Sequence, residues 1–229
     1  MFRDIPKDEF PALLPMFKLR HYNKNHKMIF ENDRTDEVYC IRSGMVKVYR
    51  MRENQELIFN FHLPGDVFGE VEAIVGVKEH NRTASVEAIE AVSAWVLSKT
   101  DFLTIIERHP AVMRRAYMIL AERLRVMNRK LRSLAFDDTR TQCADLLLDL
   151  CYNCGTEQSG VWKIEVKLPQ SVLADMLGLT RESVSKIVNE FKREGIVSVR
   201  DRHLYIQDAE RLQSYCHDQE DRTSRKWHR

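Results

Sequence analysis

Residues 170–189, QSVLADMLGLTRESVSKIVN, place small and apolar side chains where two short helices meeting at a tight turn need them. Ala174 is small where the helices would touch, and Gly178 permits the positive φ at which the chain reverses. Leu173, Leu177, Leu179, Val184 and Ile187 supply apolar contacts between the pair. At about 100° per residue, Val184, Ile187, Val188 and Phe191 form one stripe of the second helix, and Arg181, Glu182, Ser185, Lys186 and Asn189 fall opposite. The pattern predicts a helix-turn-helix that packs by one face and reads a partner with the other.

Thr180 suits the N-cap of that second helix. Glu182 complements the positive end of the helix dipole, whereas Arg181 opposes it, so something besides helix stability shapes this turn. A guanine edge is one such cause, because arginine grips O6 and N7 together. An ordinary solvated hairpin is the alternative. Gly195 fits the position after the helix, and residues 196–200 and 203–207 read as two strands joined at Asp201 and Arg202. That is a wing, with Arg200, Arg202 and His203 at its tip for phosphate contact, or else a charged surface turn.

Working outward, 229 residues suffice for two domains, and 44% hydrophobic with 31% charged is ordinary for a soluble protein. A net charge of +2 is too small to argue nucleic-acid binding, so that reading rests on where the charges lie. No apolar run reaches membrane-spanning length and MFRDIPKDEF has no signal-peptide core, so a cytoplasmic protein without a membrane partner is expected. The tail from Arg222, RTSRKWHR, reads as a disordered arm, a phosphate contact or a solubilising end.

Residues 110–136 lack internal Gly and Pro and predict one long helix. Met113, Tyr117, Leu120, Leu124, Met127, Leu131 and Leu134 alternate spacings of four and three, a coiled-coil seam. Arg114, Arg115, Glu122, Arg123, Arg125, Arg129 and Lys130 are expected to keep the remaining surface polar. Packing against its own domain is one use of such a seam; self-association is the other, and it suits a helix-turn-helix, because a two-fold axis sets two reading helices into successive major grooves.

The N-terminal part reads as strands over 37–41, 45–49, 56–61, 84–88 and 91–97, with a tight turn at Ser43 and Gly44, and predicts an antiparallel sandwich or roll. Residues 64–88, PGDVFGEVEAIVGVKEHNRTASVEA, lie among them. The pattern PGD-x-FGE followed by R-T-A resembles the phosphate-binding cassette of cyclic-nucleotide-binding domains, and with the helix and winged hairpin behind it residues 15–208 resemble the CRP/FNR family of bacterial transcription regulators.

The resemblance implies an α+β chain: a sensory β-roll over 1–109, a dimerisation helix over 110–136 and a winged helix-turn-helix over 137–229. It implies a sequence-specific regulator, not an enzyme, that reads a palindromic double-stranded operator as a homodimer and works with RNA polymerase. Arg181 and Glu182 match the residues that read a TGTGA-like half-site, with Lys186 where the family usually has arginine. Ser185, Gln170 and Thr180 complete the expected DNA contacts. For a cyclic nucleotide, with cAMP as the leading effector, Gly69 lets the backbone approach the anion, Glu70 accepts from a ribose hydroxyl, and Arg82 with Thr83 holds the cyclic phosphate.

Departures are as informative. The segment from Glu70 to Arg82 is longer than usual, and Glu72 stands where the family commonly has an apolar residue, so Arg82 has the alternative of pairing with Glu70 or Glu72. Two hydroxyl residues that contact the purine in the family's cyclic-AMP receptors are replaced by Met127, which fits the seam, and Asn128, which can read a purine edge. Asn32 and Asn54 replace turn glycines, which asparagine tolerates. Cys151 and Cys154 have CxxC spacing, with Cys143 and Cys216 elsewhere and Cys40 in a strand. A redox-sensing regulator is therefore the alternative function, as is an effector-independent regulator with a vestigial nucleotide site. The expectation is that no metal is bound and that the thiols are reduced. No Walker loop, kinase signature, nucleophile elbow or zincin motif occurs.

Overall fold

Left-handed turns at Asn25, Asn32, Gly44, Glu53 and Gly65 cut the N-terminal part of the chain into short strands. A computed structural model describes residues 1–53, 55–75, 81–216, 225 and 227. It contains two units, Met1–Leu120 and Ala121–Arg229.

In the first unit, a short helix α1 (Phe10–Leu13) precedes β1 (Lys18–Tyr22), β2 (Lys27–Ile29), β3 (Val38–Ser43), β4 (Val46–Arg52), β5 (Gln55–His62) and β6 (Val67–Phe68). There follow α2 (Glu70–Val75), β7 (Ser85–Ala88), β8 (Val92–Leu97) and α3 (Lys99–Arg108). Two antiparallel sheets of order β1-β8-β3-β6 and β2-β7-β4-β5 form the anticipated roll. Alternation along the strands fills it: Tyr39, Ile41, Val46, Phe68, Val86, Ala88, Ala94 and Val96 make one buried cluster. Phe102, Ile105 and Ile106 of α3 pack with Val38, Val67 and Leu97 in another. The strands missed from sequence are β1, whose KLRHY has no apolar alternation, and the very short β2 and β6. Asn32 is left-handed as expected, with φ of 69°. At the other turn it is Glu53, at φ of 57°, that takes this conformation; Asn54 lies outside the described residues.

Helix α4 (Pro110–Phe136) contains the boundary between the units. Tyr117, Leu124, Met127, Leu131 and Leu134 of the seam are exposed, Leu124 at 62% and Leu131 at 61%. Met113, by contrast, packs on the core beside α3, and Arg129 is not surface: it is buried and donates to the Asp149 carboxylate. A buried guanidinium needs such a partner, which the helical periodicity alone does not reveal.

The second unit continues with α5 (Thr139–Cys154), β9 (Gly155–Gln158), β10 (Val161–Ile164), α6 (Gln170–Leu177), α7 (Arg181–Arg193), β11 (Val197–Arg200), β12 (His203–Ile206) and α8 (Ala209–Gln213). The wing is larger than expected, a four-stranded sheet of order β11-β12-β10-β9. Both its two-residue turns, Ser159-Gly160 and Asp201-Arg202, have positive φ at both positions, the geometry that matches strand twist. The Ser-Gly pair before VWKI was the missed signal.

The tail is not a free arm where it is described. Arg225 and Trp227 are buried, with Arg225 Nη2 2.8 Å from Asp145 and Nη1 3.3 Å from Asp149. Asn153 donates to the Arg225 carbonyl at 3.0 Å and accepts from the Trp227 amide at 2.8 Å. The tail's remaining basic residues, Arg222, Lys226 and Arg229, lie outside the described residues. Removing a buried indole leaves a cavity, so Trp227→Ala is expected to destabilise the protein by about 3 kcal/mol in chemical denaturation. A loss under about 0.5 kcal/mol, the scale of surface changes, would mean that the tail does not dock.

Candidate functional site

The roll buries a cation. Arg82 is 2% exposed, and its backbone is fixed by the Asn32 turn: its N–H donates to the Asp33 carbonyl at 2.9 Å and its carbonyl accepts from the Asn32 amide at 2.8 Å. The guanidinium donates through Nη2 to the Glu37 carbonyl at 2.6 Å, through Nε to Thr35 Oγ1 at 3.0 Å and through Nη1 to the Gly69 carbonyl at 3.1 Å. Gly69 is glycine of necessity. Its φ is +79°, and a Cβ there would lie 2.7 Å from the Glu37 carbonyl oxygen and 2.9 Å from Arg82 Nη1.

A second contact of Nη1 is to Glu72 Oε2 at 3.2 Å, and the other oxygen of that carboxylate accepts from the Thr83 amide and hydroxyl, both at 3.3 Å. Gly69, Arg82 and Thr83 thus lie together, with the Glu72 carboxylate on Arg82 and Thr83. Glu70 is buried at the start of α2. Asn128 is exposed on the part of α4 that belongs to the second unit. Behind the cradle, Arg20 holds Glu37 in a fork at 2.9 and 2.6 Å and Tyr39 donates to it at 2.8 Å. Burial opposes ionisation of Glu37, but those hydrogen bonds outweigh it and hold the carboxyl below its usual range. Sequence reasoning missed Thr35 and Glu37, since one contributes a hydroxyl from a loop and the other a backbone carbonyl.

In the second unit, Gly178 closes α6 at φ of 66°, and the Leu179 amide reaches back to the Ala174 carbonyl at 3.1 Å. Thr180 then caps α7, accepting from the Ser183 amide at 3.2 Å. Val184, Ile187, Val188 and Phe191 are buried, and Arg181, Glu182, Lys186 and Asn189 are exposed. Ser185 and Gln170 are half-buried, and Thr180, Arg181, Glu182 and Ser185 line one shallow open depression. The far end of α7 is locked by a turn in which the Ile196 amide donates to the Phe191 carbonyl at 2.9 Å and Gly195 to Lys192 at 3.1 Å. Arg140 clamps the same end, binding Glu190 at 3.0 Å and Glu194 while lying over the rings of Phe191 and Tyr215. Arg200 and Arg202 are exposed at the wing turn, and His203 is half-buried. The arrangement can insert α7 into a groove while the wing approaches phosphates.

The sequence model of the cyclic nucleotide-binding domain matches residues 19–109, and that of the Crp-like helix-turn-helix domain matches residues 141–215. The CRP-like cAMP-activated global transcriptional regulator of Mycobacterium tuberculosis is 28% identical over 213 residues, covering 93% of this chain and 94% of that protein. The cyclic AMP receptor protein of Thermus thermophilus is 27% identical over 214 residues, 93% of this chain and 94% of its own. Among solved structures, a CooA variant from Carboxydothermus hydrogenoformans matches at a TM-score of 0.76 and 25% identity, covering 93% and 96% of the two chains. FixK2 from Bradyrhizobium japonicum shares the fold at a TM-score of 0.76 and 22% identity, covering 89% and 99%. The named functions of the two curated relatives are transcription regulation and cyclic-AMP reception, not catalysis.

The cysteines disfavour the redox alternative. Cys143, Cys151, Cys154 and Cys216 are all buried. Burial pushes the Cys143 and Cys216 thiols up to about 12 and raises Cys151 as well. A thiol raised in this way stays protonated at neutral pH, and the thiolate is the reactive form. Among the described residues no group of three or more His, Cys, Asp or Glu is placed to hold a metal. Alkylation of the native protein at pH 8 is expected to run at least about tenfold slower at these thiols than in denaturant. Mass spectrometry showing Cys151 or Cys154 labelled at the denatured rate would restore the redox reading.

Proposed function

The chain belongs to the CRP/FNR family of transcription regulators, and from that premise we propose that it binds a palindromic operator as a homodimer under the control of a cyclic nucleotide in the roll. The observation that carries the DNA-binding half is the split of α7 into a buried apolar face and an exposed face bearing Arg181, Glu182 and Lys186. In this reading Arg181 takes a guanine edge, Glu182 faces the cytosine-bearing strand, Ser185 and Lys186 extend the contact, and Gln170 and Thr180 hold phosphates. Lysine at 186 offers a point charge in place of a planar fork, so discrimination at its base pair is relaxed. RNA polymerase is the downstream partner, and the cytoplasm the place of action.

The exposed stripe Tyr117, Leu124, Met127, Leu131 and Leu134 supports dimerisation, because a row of large apolar side chains facing water is stabilised by meeting its copy. The effector reading is supported by the conjunction of Gly69, Arg82 and Thr83, and by relatives named as cAMP-activated. In this reading Glu70, buried at the start of α2, meets the ribose. Occupancy favours one arrangement of the two reading helices, and operator DNA favours the same one.

Selection from random double-stranded DNA is expected to return a palindrome with half-sites about 10 bp apart. On it, Arg181→Ala should cost about 1 to 3 kcal/mol, concentrated at one base pair. Uniform weakening on every sequence would make Arg181 a phosphate contact. Leu124→Glu combined with Leu131→Glu is expected to yield monomers in sedimentation velocity and to remove operator binding. A dimer that survives both changes would assign association to another surface.

A further inference from the structure

A phosphate cradle normally waits for its anion, and this one contains an anion of its own. Glu72 is joined to Arg82 Nη1 at 3.2 Å and to the amide and hydroxyl of Thr83 at 3.3 Å, which are a charged N–H, a backbone N–H and an O–H converging on one carboxylate. Those are the donor types that would grip two oxygens of a phosphodiester. Two of Arg82's other acceptors are backbone carbonyls, whereas Glu72 is a side chain. Arg82's contacts to the Glu37 carbonyl, Thr35 and Gly69 are 2.6, 3.0 and 3.1 Å and its contact to Glu72 is 3.2 Å, while the two bonds from Thr83 to Glu72, at 3.3 Å, lie at the long end of the hydrogen-bond range. Glu72 reaches in from α2 and keeps 12% of its side chain in solvent, while that of Arg82 keeps 1%. A rotation of the glutamate about its own side-chain bonds releases the donors without moving the arginine.

We propose that Glu72 is an internal competitor for the phosphate position, which an anionic effector must displace, so that this residue sets the effector concentration to which the roll responds. Two negative groups cannot share these donors, since the repulsion between them is uncompensated once the first has taken the cation. The roll then answers only to a ligand that pushes the glutamate out. This inference rests on the reading of the roll as a cyclic-nucleotide site and adds the element that restrains it.

Calorimetric titration of cyclic AMP into the full-length protein separates the two. Glu72→Gln removes the charge at constant shape, Glu72→Ala removes the carboxylate altogether, and Arg82→Leu removes the cradle; thermal melting of each checks folding. The expected result is at least about tenfold tighter binding by both Glu72 variants than by the unsubstituted protein, with no heat for Arg82→Leu. Heat from the Glu72 variants with none from the unsubstituted protein supports the proposal in its strongest form. Equal or weaker binding by both, with normal binding by the unsubstituted protein, overturns the proposal and leaves the cyclic-nucleotide reading standing, with Glu72 then a support that orients Arg82. Heat from none of the folded proteins overturns both.

Discussion

A guanidinium keeps its charge wherever it is buried, so every group around Arg82 has to face it with oxygen. That requirement organises much of the first unit. The turn at Asn32 presents the chain so that Arg82 is held by two backbone bonds, the loop before β3 turns the Thr35 hydroxyl and Glu37 carbonyl inward, and Gly69 exists as glycine because any larger residue would strike both the carbonyl and the arginine. The same demand brings an anionic group, the Glu72 carboxylate, onto Arg82. Three of the arginine's contacts go to Thr35, Gly69 and Glu37, and the fourth goes to the Glu72 carboxylate, the position that the proposed effector would contest.

The second unit solves a different problem, which is to hold a short helix rigidly while leaving one face bare. Burial of Val184, Ile187, Val188 and Phe191 supplies the adhesion, and the orientation comes from both ends. Thr180 caps the first turn, and at the last the Gly195 turn and Arg140 converge on Phe191 and Glu194. A reading helix fixed in this way loses little conformational entropy on meeting DNA, so its exposed residues act as a preset pattern. The wing adds to the same platform through β12, which pairs with both β11 and β10.

Much of this was legible in the sequence where local chemistry decides the outcome. The α6–α7 pair, its Gly178 turn and Thr180 cap, the Asp201-Arg202 hairpin and the apolar stripe of α4 all follow from spacing and conformational preference. What escaped was set by partners far away in the chain. Arg129 looks like a solvated helix residue until Asp149 is placed beside it, the described part of the basic tail is fixed by Asp145, Asp149 and Asn153, and the short strands β1, β2 and β6 exist only because β8, β7 and β3 offer edges to pair with. In the cradle, Glu72 stood out as an unusual residue at its position, yet only the folded geometry joins it to both Arg82 and Thr83.

If the roll is an effector site that governs DNA reading, the two ligands must report on each other, because a coupling free energy acts equally in both directions. The direct test is to measure operator affinity by fluorescence anisotropy at zero and at saturating cyclic AMP, and cyclic-AMP affinity with and without saturating operator. Both affinities should rise by one and the same factor, on the order of 5- to 150-fold. Nucleotide binding that leaves operator affinity unchanged would contradict control of DNA binding by the roll.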